Sequence, residues 1–138
     1  MDTKELRSFG LKATLPRIKI LEILERQTES SNHHLTAEQI YKILIKSNED
    51  IGLATVYRVL TQFESSGIVR RHHFEGGNSV FELESGTHHD HILCVKCGQV
   101  AEFTDDVIEQ RQKEVAVRLG FTLTDHSLYL YGYCTACK

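Results

Sequence analysis

The sequence has no tryptophan, one methionine and one proline, and no apolar run approaches the ~18–20 residues of a membrane span. A membrane-spanning role is therefore not expected. The N-terminal stretch MDTKELRSFG is polar and lacks the apolar core of a signal peptide, which predicts a cytoplasmic protein. Catalytic signatures are missing as well. There is no GxSxG, no HExxH and no Gly-rich phosphate loop, so the chain does not read as an enzyme. It holds no internal repeat and no low-complexity segment. Excess charge is also lacking: 16 Lys+Arg face 19 Asp+Glu, a formal net charge of −3. That balance argues against binding nucleic acid by bulk charge alone, and leaves room for a local basic surface.

What is present is an ordinary globular balance, 41% hydrophobic and 25% charged over 138 residues, enough for one domain or two small ones. The charge divides unevenly. Residues 1–83 hold 11 Lys+Arg and 11 Asp+Glu, whereas residues 84–138 hold 5 and 8. All four cysteines lie in the second part, after Ser85-Gly86-Thr87, a short hinge. The reading is thus two domains, 1–84 and 85–138.

The first part reads as helices closed by a hairpin. Pro16 suits a helical first turn, and Ile18, Leu21 and Leu24 follow at helical spacing. Thr36 and Gln39 form a capping box for a helix in which Ala37, Ile40, Tyr41 and Leu44 make one apolar stripe. A third helix, Leu53 to Ser66, buries Val56, Val59, Leu60 and Phe63, and Gly67 ends it. Its other face carries Thr55, Tyr57, Arg58, Thr61 and Gln62. Ile68–Phe74 and Ser79–Leu83 read as strands joined by Glu75-Gly76-Gly77-Asn78. Helices followed by a hairpin describe a winged helix-turn-helix.

The second part reads as strand, strand, helix, strand. Strands His91–Val95 and Gln99–Phe103 flank a turn at Cys97-Gly98. A helix runs from Asp105-Asp106 to Gly120, and a long strand covers Phe121–Tyr133, with Leu123, Leu128 and Leu130 as its apolar members. The whole is an α+β chain. So small a second unit requires a metal staple or a partner subunit.

Cys94-Val95-Lys96-Cys97 and Cys134-Thr135-Ala136-Cys137 are two CxxC pairs. In a reducing compartment, two such pairs complete the tetrahedron of one structural zinc. A redox CxxC or unrelated buried thiols are the alternatives. A zinc held by four cysteines has no open position and supports no catalysis. His88-His89-Asp90-His91 leads into a strand, and alternation puts His89 and His91 on one side and His88 and Asp90 on the other. One tetrapeptide can then feed two metal sites. His34, Glu82, Glu102, Glu109 and His126 are the candidates for the missing ligands. Imidazole with carboxylate suits Fe(II), Zn(II), Mn(II) or Co(II) without choosing sharply among them. The alternative is a solvated polar loop. His33, His72 and His73 read as surface or wing residues.

At these residues the chain resembles the ferric uptake regulator family of bacterial metal-dependent repressors. The likeness rests on Gly10-Leu11-Lys12, Thr14-Leu15-Pro16-Arg17, Gly52-Leu53-Ala54-Thr55-Val56-Tyr57-Arg58-Val59-Leu60 and Phe74-Glu75-Gly76-Gly77. It continues through Ser79-Val80-Phe81-Glu82-Leu83, His88-His89-Asp90-His91, Cys94 with Cys97, and His126-Ser127-Leu128-Tyr129-Leu130-Tyr131-Gly132. The resemblance implies structural zinc on Cys94, Cys97, Cys134 and Cys137. It implies a regulatory Fe(II) site between the domains on His34, Glu82, His89, His91 and Glu102. An additional site would use His88, Asp90, Glu109 and His126. Glu82 and Glu102 disfavour the peroxide-sensing branch, whose members use Asp in these places. Zinc- and manganese-responsive relatives have overlapping ligand sets, so a zinc- or manganese-responsive member of the same family is the alternative, and Mn(II), Co(II) or Zn(II) could substitute for Fe(II).

For DNA, the resemblance implies contacts from Lys12 in an A·T-rich minor groove and from the helix beginning at Leu53 in the major groove. In that helix Thr55, Tyr57 and Arg58 lie near the start, where helix-turn-helix proteins meet base edges. Arg58 can bind guanine bidentately and Tyr57 can meet thymine methyls. Arg17 contacts phosphate, with Arg70 and Arg71 on the wing as further candidates. The expected molecule is a metal-dependent repressor of iron homeostasis that binds operator DNA as a homodimer or tetramer. A metal-binding module without a DNA role is the alternative from a different class.

Overall fold

The computed structural model describes residues 3–28, 34–74, 79–84 and 88–138. The turn expected at 75–78, the hinge expected at 85–87 and His33 lie outside the described residues. The chain divides into two compact units, Met1–Ser85 and Gly86–Lys138.

The first unit runs α1 (Thr3–Ser8), α2 (Leu15–Thr28), α3 (Ala37–Lys46), α4 (Leu53–Ser66), β1 (Val69–His73) and β2 (Ser79–Leu83). The capping box that starts α3 is complete. Gln39 N–H donates to Thr36 Oγ1 at 3.1 Å, and Thr36 N–H donates to Gln39 Oε1 at 2.8 Å. Gly67 ends α4 in the left-handed conformation at φ 90°, and the chain turns directly into β1. Val56, Val59, Leu60 and Phe63 are all buried, so α4 turns its apolar face inward. They meet Ile40 and Leu44 of α3 and a face of α2 that is wider than its spacing suggests. Ile20 and Ile23 are buried beside Leu21 and Leu24, while Ile18 is only half-buried. Burying each such side chain stabilises the fold by about 1.5–3 kcal/mol. β1 and β2 pair antiparallel, with His73 opposite Ser79 and Arg70 opposite Glu82. The free edge of β2 then takes Leu35 through reciprocal bonds with Phe81 (3.1 and 2.7 Å). That bridge sets the neighbours of the two residues, His34 and Glu82, side by side.

The second unit runs β3 (Asp90–Cys94), β4 (Val100–Phe103), α5 (Asp106–Arg118), β5 (Tyr129–Gly132) and a closing 3-10 turn, Thr135–Cys137. β3 is central, antiparallel to β4 and parallel to β5. A parallel neighbour requires a crossover, which α5 supplies. Asp105 caps α5, its Oδ1 accepting from the N–H groups of Val107 (2.9 Å) and Ile108 (3.1 Å). The long strand expected over Phe121–Tyr133 is corrected to four ladder residues. β5 can extend only as far as β3 offers a partner, and β3 has five residues. Among the described residues, none pairs in a ladder with 121–128, and Phe121 stays 70% exposed.

Candidate metal centres and nucleic-acid face

The four cysteines converge. β3 ends in Cys94, the following turn carries Cys97, and the residues after β5 carry Cys134 and Cys137. Cys94 pairs in register with Gly132, which brings the two CxxC segments to one end of the sheet. All four sulfurs lie within 4.8 Å of one another, and none is in a disulfide. Cys97 Sγ and Cys134 Sγ are 3.8 Å apart. A tetrahedral site with metal–sulfur bonds of about 2.3 Å has an edge of about 3.8 Å, so the spacing fits zinc. Cys94 Sγ also accepts the backbone N–H groups of Cys134 (3.4 Å) and Cys97 (3.5 Å). Those two bonds, the first foremost, hold its thiol down at about 6, in the thiolate form a metal needs. Cys137 moves the other way, to about 12, chiefly through its contact with the Cys134 sulfur.

A second cluster forms within the same unit. His88 Nε2 is 2.9 Å from Asp90 Oδ1 and 3.6 Å from Glu109 Oε1. His126 Nε2 is 3.2 Å from Glu109 Oε1 and 3.7 Å from Asp90 Oδ1. Here β3, α5 and the segment before β5 each contribute a ligand-type side chain. Asp90 is fully buried, and its Oδ2 makes no hydrogen bond among the described residues. A buried carboxylate oxygen in this state suits a cation.

The remaining candidates fall into two halves. In the first unit the Glu82 carboxylate lies between two imidazoles. Its Oε2 is 3.1 Å from His34 Nε2, and its Oε1 is 2.6 Å from His72 Nε2. In the second unit, register pairs His91 with Glu102. Glu102 stands 3.8 Å from His91 Nε2 and 3.9 Å from His89 Nε2. These gaps are too long for hydrogen bonds. They lie inside the ~4.2 Å that two metal–ligand bonds of about 2.1 Å can span.

His72 corrects the sequence reading. It is not a surface residue of the wing: it is 3% exposed, bonded to Glu82 and stacked on Phe74. The signal that could have found it was the hairpin register. Strands closing Phe74 on Ser79 would set His72 opposite Phe81. The actual pairing sets it opposite Val80, diagonal to Glu82 on one face.

The outer face of α4 exposes Tyr57, Arg58 and Thr61, with Thr55 and Gln62 half-buried. The Tyr57 hydroxyl donates to Glu38 in the first turn of α3. That bond holds the Glu38 carboxyl below its usual range and pushes the Tyr57 hydroxyl above its own. Lys12 is exposed on the loop before α2. Arg17 donates to Gln62 Oε1 from Nη2 (2.9 Å) and Nε (3.3 Å), and to the Lys12 carbonyl from Nη1 (3.0 Å). On the wing, Arg70 pairs with Glu84 at 3.0 Å, and Arg71 pairs with Glu64 at 3.4 Å and lies over the Phe81 ring.

Known proteins resemble this chain in sequence and fold. The sequence profile of the ferric uptake regulator family matches residues 8–131. A ferric uptake regulation protein of Legionella pneumophila is 61% identical over 137 residues, covering 99% of this chain and 98% of that protein. The solved Vibrio cholerae ferric uptake regulator is 61% identical, covers 96% of this chain and 98% of its own, and superposes with a TM-score of 0.87. The Francisella tularensis ferric uptake regulator, solved with iron, is 40% identical over 94% of this chain and 96% of its own, with a TM-score of 0.88. The profile spans both the α4 helix with its exposed Tyr57-Arg58 face and the histidine and carboxylate donors, and on that evidence the chain belongs to the ferric uptake regulator family.

Proposed function

We propose that the chain is a cytoplasmic, iron-responsive repressor that binds operator DNA as a homodimer when Fe(II) is bound, and releases it when the metal is scarce. The observation that carries this reading is the division of donors. Glu82, His34 and His72 sit in Met1–Ser85, and Glu102, His89 and His91 sit in Gly86–Lys138. The first unit offers two ligands, His34 and Glu82, with His72 behind Glu82, and the second offers three, each short of the six of octahedral coordination. His34 and Glu82 together with His89, His91 and Glu102 would hold one cation, which supplies charge neutralisation and a link between the two units. His72 would orient Glu82 from behind. Residues that grip from both units favour one relative angle, which shifts a pre-existing equilibrium toward it. In a dimer that angle sets the distance between the two α4 helices, and the spacing of half-sites depends on it.

The other residues take supporting roles. Cys94, Cys97, Cys134 and Cys137 would hold a structural zinc that fastens β3 to the end of β5. His88, Asp90, Glu109 and His126 would hold a further ion that ties β3 to α5. Arg58 and Tyr57 would read major-groove edges, Thr55 would stand beside them, and Lys12 would enter the minor groove. Dimerisation through the second unit is supported by its exposed apolar side chains. Val117 in the last turn of α5 is 75% exposed, and Leu119 and Phe121 just after it are 65% and 70% exposed. A second copy of the same unit would cover them.

A gel shift on A·T-rich palindromes, with chelator and with titrated Fe(II), Mn(II) or Zn(II), tests the reading. Metal-dependent retardation is expected, with Fe(II) effective. The His89→Ala, His91→Ala double variant should stay dimeric and lose that dependence. Unchanged metal-dependent affinity in the double variant refutes the regulatory role. Metal binding with no DNA binding favours the metal-carrier alternative.

A further inference from the structure

We infer that Arg17 is a positioning residue that locks the Lys12 loop to the recognition helix, with Gln62 as its partner on that helix. The inference rests on the DNA-binding reading above and adds how two contacts to different grooves keep one register. Arg17 lies in the first turn of α2 and reaches across forty-five positions in sequence to Gln62. Three of its five N–H donors are committed: Nε and Nη2 to Gln62 Oε1 at 3.3 and 2.9 Å, and Nη1 to the Lys12 carbonyl at 3.0 Å. Thr14 N–H donates to the same carbonyl at 3.0 Å. The loop that presents Lys12 is therefore closed on itself and fastened to α4 by one planar group.

Gln62 follows Arg58 by one turn, so the two share a helix face. The path from the minor-groove lysine to the major-groove arginine is then short: the Lys12 carbonyl, the Arg17 guanidinium, Gln62 and one helical turn to Arg58. A guanidinium can make this connection because its donors are coplanar and fixed in a fork, whereas a lysine ammonium is a point charge. The bond also sets the chemistry of Gln62. With Oε1 committed to Arg17, the amide offers DNA only its NH2 group. A donor suits phosphate oxygens, thymine O4 or guanine O6 and N7, and cannot make the paired donor–acceptor contact that glutamine makes to adenine.

The test uses full-length, Mn(II)-loaded protein. The probes are an A·T-rich duplex that the wild type enriches from a randomised pool and a G·C-rich duplex of equal length. Arg17→Lys keeps the charge and loses the fork, and Gln62→Ala removes the acceptor. Each should accelerate amide exchange at Thr14 and weaken binding to the enriched duplex by about tenfold. The double variant should be no worse than either single one. For Arg17→Lys, which keeps the charge, affinity for the G·C-rich duplex and the salt dependence of binding should stay as in wild type. The inference is overturned if Arg17→Lys behaves as wild type while Arg17→Ala lowers the salt slope by about 0.9, the signature of a phosphate contact. Additive losses, or faster Thr14 exchange with discrimination unchanged, overturn it equally. A wild-type protein that enriches no duplex refutes the DNA-binding reading itself and the inference with it. Thr14 exchange then shows whether the tether exists apart from any DNA role.

Discussion

Replacing His72 with leucine tests how Glu82 is held. The side chain is similar in bulk and keeps a surface against Phe74, so the change removes chiefly the Nε2 contact of 2.6 Å. Glu82 is buried, so water reaches its carboxylate poorly and Oε1 loses its short bond to the histidine ring. Leaving a buried acceptor of this kind unmet costs about 1–3 kcal/mol. For a domain of this size that lowers the melting temperature by roughly 4–8 °C per kcal/mol. Thermal unfolding of metal-free protein, followed by circular dichroism, reads the effect directly. A second consequence follows for the metal. Outer-shell partners of metal ligands contribute about 10–100-fold in affinity. Co(II) titration, followed by its visible absorption, should show weaker binding at the proposed regulatory site, with the zinc proposed for the four cysteines staying in place. His72→Gln retains a donor within reach and should recover most of both losses. A His72→Leu protein that melts as wild type and binds Co(II) with unchanged affinity would refute the claim that this histidine orients Glu82.

Cys94→Ser removes the one buried cysteine of the four and the sulfur that accepts two backbone N–H groups. Loss of bound zinc and dissociation of the dimer are expected, read by metal analysis and sedimentation; a zinc-free, fully dimeric variant contradicts the structural role. Phe63→Ala empties a fully buried position of α4, and should destabilise the protein by about 3–5 kcal/mol in urea denaturation. A loss below about 1 kcal/mol would mean that α4 is not packed as described. Glu38→Gln removes the carboxylate that raises the Tyr57 hydroxyl, so Tyr57 should ionise at lower pH than in wild type, toward the ordinary value. Ultraviolet difference titration of the tyrosines checks this, and an unshifted titration excludes the Tyr57–Glu38 bond in solution.

The first unit was largely legible in the sequence because its signals are local. A capping box, a glycine after the last turn and apolar residues at i, i+3, i+4 and i+7 act within a few residues. Thr36, Gln39, Gly67 and the buried face of α4 all stand where that chemistry puts them. The likeness to known regulators supplied the groupings of distant ligands, which no local pattern specifies. His72 escaped because its role depends on strand register, and one residue of slip moves a side chain to the opposite face. Arg17 is a phosphate contact only in what the resemblance implies. Its bond to Gln62 joins positions too far apart in sequence for periodicity to connect.

The failure over 121–128 has a different cause, and it bears on what the second unit is for. Alternating apolar residues predicted a strand, and apolar alternation does mean that one side is covered. It does not say by what. Among the described residues, the parallel ladder on β3 takes only Tyr129–Gly132 of this stretch, while Phe121 and Leu123 stay exposed and α5 buries little beyond Ala116. A unit this small cannot enclose so many apolar side chains by itself. Four sulfurs at one end of its sheet and a carboxylate–histidine cluster beside α5 are the candidates for internal staples, and neither cluster includes Val117, Leu119 or Phe121. The unmet strand pattern and the exposed end of α5 therefore point to the same missing element, a second copy of the unit. In the proposed regulator, that second copy would also bring a second α4 helix into the molecule.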